Sequence, residues 1–129
     1  MPFSIVFTDP VVAVIGQTAD PDDPELLIGE ASYADQGRAK VMARNVGLVR
    51  LYADRRDGRL TGAAMVGPGV EHTGHLLAWA IQSGLTATQL LEFPFYHPTV
   101  EEGLQPALWE ICKNSGLMPA KDDVRLAGA

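Results

Sequence analysis

The sequence contains a single cysteine, Cys112, which excludes an internal disulfide and any two-cysteine redox centre within this polypeptide. Such sparing use of cysteine fits a reducing cytoplasm. Basic residues are also few: 10 against 16 acidic ones give a formal charge of -6 and a pI near 4.9, a balance opposed to nucleic acid as a partner. The apolar run nearest the start, residues 11–15, is far too short to span a bilayer and follows Asp9 and Pro10, so no membrane is expected. No basic segment precedes it, and no signal peptide is visible. Gly-rich phosphate loops are missing as well; neither the dinucleotide fingerprint nor the P-loop pattern occurs, so the chain is not expected to bind FAD or NAD alone.

The 129 residues, 47% of them hydrophobic, suffice for one core and one domain. Ser4-Ile5-Val6-Phe7-Thr8 is β-branched and aromatic and stops at Asp9-Pro10, as a strand meeting a turn does. Residues 11–15 form a second short apolar run. Beyond Gly16, the Asp20-Pro21-Asp22-Asp23-Pro24 stretch cannot sustain a ladder, because proline lacks the N–H donor. Residues 26–33 are expected as a strand, and Gly37-Arg38-Ala39-Lys40 as an irregular connection. In 47–54, Val49, Leu51 and Ala53 alternate with Leu48, Arg50 and Tyr52, and the first set forms the inward face. The Asp57-Gly58 turn and the return over 60–66 complete the clearest hairpin.

After Gly67-Pro68-Gly69 the period lengthens to that of a helix. Over 72–83, Leu76, Leu77, Ala80 and Ile81 make a stripe that Trp79 widens, and Gly84 stands where the helix would stop. Thr86 caps a short helix to Leu91. Thr99 and Glu102 have the spacing of a capping box ahead of a last helix with Val100, Leu104, Ala107, Leu108 and Ile111 on one face. Pro106 either separates the first turn of that helix or kinks it. Residues 117–129 show no periodicity and are expected as a loose tail. Strands first and helices last predict an α+β fold: an antiparallel β-sheet packed against helices in a two-layer sandwich.

The residues that carry chemistry are Phe95-Tyr96-His97-Pro98-Thr99-Val100-Glu101-Glu102, where a loop meets the final helix. Pro98 restricts His97 to extended backbone, and the capped helix follows at once, so the imidazole has a rigid mount. An imidazole titrates near neutral pH and can take a proton from a thiol and return it. A carboxylate bonded to the ring N–H sets the tautomer and steadies the imidazolium. Glu102, one turn into the helix, is the first choice for that carboxylate; Glu101 is the second.

His97-Pro98-Thr99 followed by Glu102 resembles the His-Pro-Thr-x-x-Glu signature of the FAD-dependent pyridine-nucleotide disulfide oxidoreductases, which include dihydrolipoamide dehydrogenases and glutathione reductases. Phe7-Thr8-Asp9-Pro10, Gly16-Gln17-Thr18, Gly37-Arg38-Ala39 and Gly62-Ala63-Ala64-Met65-Val66-Gly67 resemble family segments in the family's order, so the likeness runs over roughly residues 3 to 110. It implies the family's C-terminal dimerisation domain, a homodimer, and FAD and NAD(P) bound by upstream domains. It further implies a thiol or disulfide substrate, with His97 and Glu102 serving the partner subunit's flavin and disulfide as an acid/base pair. Phe95 stands where dihydrolipoamide dehydrogenases usually carry another histidine, and Gly103 replaces a common alanine.

Blander readings stand beside these. Glu102 has a structural task as the fourth residue of a capping box. Glu71, His72 and His75 offer two histidines three apart with no further ligand, so no metal is expected. Cys112, beside Ile111, reads as a small buried hydrophobe, and Trp79 and Trp109 as packing or interface groups. A free-standing interaction module derived from the same domain is the alternative function. A small hydrolase lacks any nucleophile-elbow motif to support it.

Overall fold

A computed structural model describes residues 1–17, 20, 22–34 and 46–119. Five strands, β1 (Phe3–Val6), β2 (Val12–Gly16), β3 (Leu26–Ser32), β4 (Leu48–Asp54) and β5 (Leu60–Val66), form one sheet in the order β1-β2-β5-β4-β3. Every pairing in it is antiparallel. Sequence neighbours pair along both halves, and the β2–β5 ladder, with Val12 opposite Val66 and Ile15 opposite Ala63, joins them.

Among the described residues the helices cover one face of the sheet and not the other, in keeping with the two-period pattern. Val49, Leu51 and Ala53 are fully buried with Ala13, Ile15, Leu27, Ala63 and Met65, while Glu30, Leu48 and Val66 face outward. Tyr52 is the exception on the outer face, only 5% exposed, with Arg50 bonded to it and to Glu30. The β4–β5 hairpin closes through Asp57 and Gly58, the latter at φ 75°, a left-handed geometry that glycine adopts without penalty. Arg56 bonds the Asp54 carboxylate through its side chain and its amide, holding that carboxyl down to about 2.

Helix α1 (Val70–Gln82) lies on β2 and β5, and α3 (Gln105–Ser115) on β3 and β4, with α2 (Ala87–Leu91) against α3. Gly29 lets α3 settle on β3: a Cβ there would stand 2.0 Å from the Ala107 carbonyl oxygen. Helix α1 ends in a paired C-cap, with Gly84 N–H donating to Ile81 O and Leu85 N–H to Ala80 O. Its register differs from the expected stripe. Val70, Thr73, Gly74, Leu77, Ala78 and Ala80 are buried, whereas Leu76 is 42% and Trp79 64% exposed. The helix carries apolar residues on more than one side, so hydrophobicity alone does not choose its face; Gly74 marks the buried one, where a Cβ would stand 3.3 Å from the Phe3 ring and 3.5 Å from the Ala13 methyl.

The last helix resolves the question raised by Pro106. Val100–Leu104 is a separate 3₁₀ turn, and Pro106 falls in the first turn of α3, where its missing N–H has no intrahelical partner to lose. Leu104, Ala107, Leu108 and Ile111 are buried as expected. Within the expected tail, the Thr88 hydroxyl donates to the Leu117 carbonyl and Pro119 is buried, while 120–129 lie outside the described residues. So does the connection at Gly37-Arg38-Ala39-Lys40. No described helix is long and apolar enough to cross a membrane.

Candidate functional site

The loop after α2 leads to the His97–Glu102 pair. Thr86 caps α2 in a box with Gln89, and the chain leaves the helix at Glu92 to run through Phe93, Pro94, Phe95 and Tyr96 to a cis His97–Pro98 peptide. Thr99 then takes an extended backbone, its hydroxyl donating to the Tyr96 carbonyl at 2.7 Å. The bond ties the two sides of His97 together.

Glu102 sits beneath the imidazole. Its side chain is 4% exposed, against 57% for His97. One oxygen accepts the Thr99 N–H at 2.8 Å, and both lie 3.1 Å from His97 Nδ1. A carboxylate only accepts, so the ring nitrogen facing it carries the hydrogen, and the lone pair belongs to Nε2 on the exposed side. A buried carboxylate thus orients an exposed ring. The two tasks weighed for Glu102 are therefore compatible: the same carboxylate closes the turn and holds the ring.

Beside this loop lies an apolar groove of about 480 Å³, between Leu76 and Trp79 of α1 and Phe93, Phe95 and Tyr96 of the loop. Glu101 stands on its wall rather than under the ring, which leaves Glu102 as the carboxylate bonded to His97. The groove joins residues some 20 positions apart, so local pattern does not show it; the only trace is that Leu76 and Trp79 exceed what one buried stripe needs.

Apart from Trp79, which lines the groove, the remaining sequence candidates fall away from this centre. Cys112 is fully buried, and burial pushes its thiol up. Trp109 packs partly buried against the core, while Trp79 faces out. His75 Nδ1 donates to the Glu71 carbonyl at 2.6 Å, and His72 Nε2 lies 3.6 Å from Glu71. Among the described residues no group of three or more His, Cys, Asp or Glu side chains could hold a metal ion.

The model of the pyridine nucleotide-disulphide oxidoreductase dimerisation domain matches residues 2–108. The chain belongs to that family. Dihydrolipoyl dehydrogenase from Haloferax volcanii is 33% identical over 105 residues, covering 79% of this chain and 22% of the relative. The Bacillus subtilis dihydrolipoyl dehydrogenase is 31% identical over 106 residues, covering 80% and 23%. LpdA from Mycobacterium tuberculosis superposes with a TM-score of 0.77 at 22% identity, over 84% of this chain and 24% of that one. The flavoprotein disulfide reductase RclA of Escherichia coli superposes equally well at 21% identity, over 84% and 26%. This dimerisation domain therefore spans about a quarter of the length of the relatives it matches, and its α+β sandwich is the one they share.

Proposed function

We propose that this domain joins two subunits of a disulfide oxidoreductase and lends His97, across the two-fold contact, to a thiol or disulfide centre formed in the partner. The observation that carries the reading is the contrast at the His97–Glu102 pair: a carboxylate withdrawn from solvent, bonded to a ring that is 57% exposed on the opposite side. A histidine that only packed or capped would not need its outward nitrogen held free.

The chemistry follows from the tautomer. Nε2 accepts the proton of a substrate thiol, leaving a thiolate and an imidazolium whose second N–H still points at Glu102; the buried carboxylate stabilises that cation. On the return step Nε2 gives the proton to a departing thiolate. Glu102 is the positioning residue and His97 the acid/base. Phe95, in place of a second histidine, packs against the core and lines the apolar groove beside the loop.

Flavin and nicotinamide are supplied by other domains in this reading. The described residues do not fit them: every strand pairing is antiparallel, and no parallel strand–turn–helix unit is present to receive a pyrophosphate. The cofactors would provide the electron transfer, while this domain moves protons only. The single buried cysteine is consistent with a reducing cytoplasm as its compartment.

The test is His97→Gln in the polypeptide that joins this domain to flavin- and nicotinamide-binding domains. Dithiol turnover should fall by about 100-fold or more, while flavin reduction by the nicotinamide is retained. Unchanged dithiol turnover removes the role.

A further inference from the structure

The groove beside the His97 loop is apolar except at a few points, and only one of these carries a charge. Its walls are largely aromatic, with Trp79 on α1, Phe93, Phe95 and Tyr96 on the loop, and Leu104 from the 3₁₀ turn. Glu101 is the one charged residue among those that line it. Among the described residues its carboxylate joins no ion pair and accepts no hydrogen bond. Its charge is felt at the Tyr33 hydroxyl, where it adds to burial in opposing ionisation. We infer that this groove is a binding site for a small amphipathic organic cation, an ammonium on an apolar body, held by the aromatic walls and paired with Glu101. The inference stands apart from the role proposed for His97.

The composition selects the sign of the ligand. A neutral apolar ligand fills the groove but strips water from the Glu101 carboxylate and gives nothing back, which is costly for a charged group. An anion meets that carboxylate and the negative faces of the aromatic rings, on a chain whose formal charge is already -6. A cation with an apolar body gains from each of these features: its body covers the walls, and its charge answers both Glu101 and the rings.

Size and rigidity point to a small molecule. The volume of about 480 Å³ lies within the range of pockets that enclose one. Trp79 and Tyr96 are exposed on opposite sides, so the groove is open to a ligand arriving from solvent. Both walls are held before anything binds. The His75 ring stands edge-on to Trp79 at 6.2 Å and 71°, the Thr86 box caps the helix from which the loop departs, and the Thr99 hydroxyl donates to the Tyr96 carbonyl at the loop's far end. A pre-formed site loses little entropy when it is filled.

The test uses three soluble probes that share one apolar body and differ at its end: phenylbutylamine, an ammonium at neutral pH, phenylbutanol and phenylbutyrate. Titration of the ¹⁵N-labelled chain at neutral pH, followed by ¹H–¹⁵N correlation spectra, reads affinity and place together. The amine should bind with a dissociation constant of about 1 mM or below, about tenfold more tightly than the alcohol, with the butyrate weakest. Shifts should cluster on α1 and on residues 93–104. Glu101→Gln should lose most of the preference while still binding the alcohol, and Trp79→Leu should weaken the amine several-fold; far-UV circular dichroism verifies that both variants fold. Equal affinity for amine and alcohol, a preference for the butyrate, shifts that map elsewhere, a preference retained in Glu101→Gln, or an amine affinity untouched in Trp79→Leu overturns the inference. So does a lack of saturation by about 10 mM amine, the result expected where a second copy of the chain closes the groove.

Discussion

Replacing Glu102 separates its two tasks. In Glu102→Ala the Thr99 N–H loses the acceptor it holds at 2.8 Å, and His97 loses the carboxylate at 3.1 Å from Nδ1. The orphaned amide costs about 1–3 kcal/mol, and the vacated buried methylene adds about 0.8 kcal/mol, so the variant should unfold about 2–4 kcal/mol more easily. Glu102→Gln fills the same space. Its carbonyl oxygen can still accept from Thr99, which puts its amide N–H₂ at the second 3.1 Å contact to Nδ1, where two donors repel and favour the tautomer with hydrogen on Nε2. The outward nitrogen then has no lone pair and cannot take a proton. The stability loss should stay within about 1 kcal/mol while the acid/base task fails. Urea denaturation measures the first effect, and long-range ¹H–¹⁵N NMR of the His97 ring the second. A Gln variant that keeps hydrogen on Nδ1, or that is as unstable as the Ala variant, would refute the reasoning.

Two further substitutions test the frame around the site. Gly29→Ala would force a methyl to 2.0 Å from the Ala107 carbonyl oxygen, so α3 must lift from β3; we expect a loss of about 3 kcal/mol or more by urea denaturation, although Gly29 is regular strand. Burial pushes the Tyr33 hydroxyl up to about 12. The unfolded chain ionises near 10, so it holds fewer protons than the folded chain between pH 10 and 12, and stability should fall across that window by roughly 2–3 kcal/mol. Tyr33→Phe should remove this alkaline limb, as pH-dependent thermal melts would show.

Much of this architecture is legible locally. The alternation through Val49, Leu51 and Ala53, the turn at Asp57-Gly58, the stop at Gly84 and the cap at Thr86 each follow from short-range chemistry, and each stands in the structure. What local pattern cannot supply is long-range. The β2–β5 ladder that unites the sheet pairs residues some 50 positions apart, and nothing in either strand names its partner. Helix α1 shows the other limit: in a helix with apolar residues on more than one side, the buried face is marked by Thr73 and Gly74, small residues that let β1 and β2 approach, while Leu76 and Trp79 are turned out. At the candidate site the His97–Glu102 pair is legible because turn geometry and chemistry use the same spacing. The groove beside it is assembled from α1, α2 and the following loop, and only packing reveals it.

In the proposed function His97 serves the partner's centre and not its own. Hybrid dimers decide it: one subunit of the joined flavoprotein carries His97→Gln, the other lacks the reactive cysteine pair. Each homodimer should be inactive toward a dithiol, whereas the hybrid should recover about half of the parental activity, because one of its centres combines an intact disulfide with the other subunit's histidine. A hybrid as inactive as either homodimer contradicts the claim.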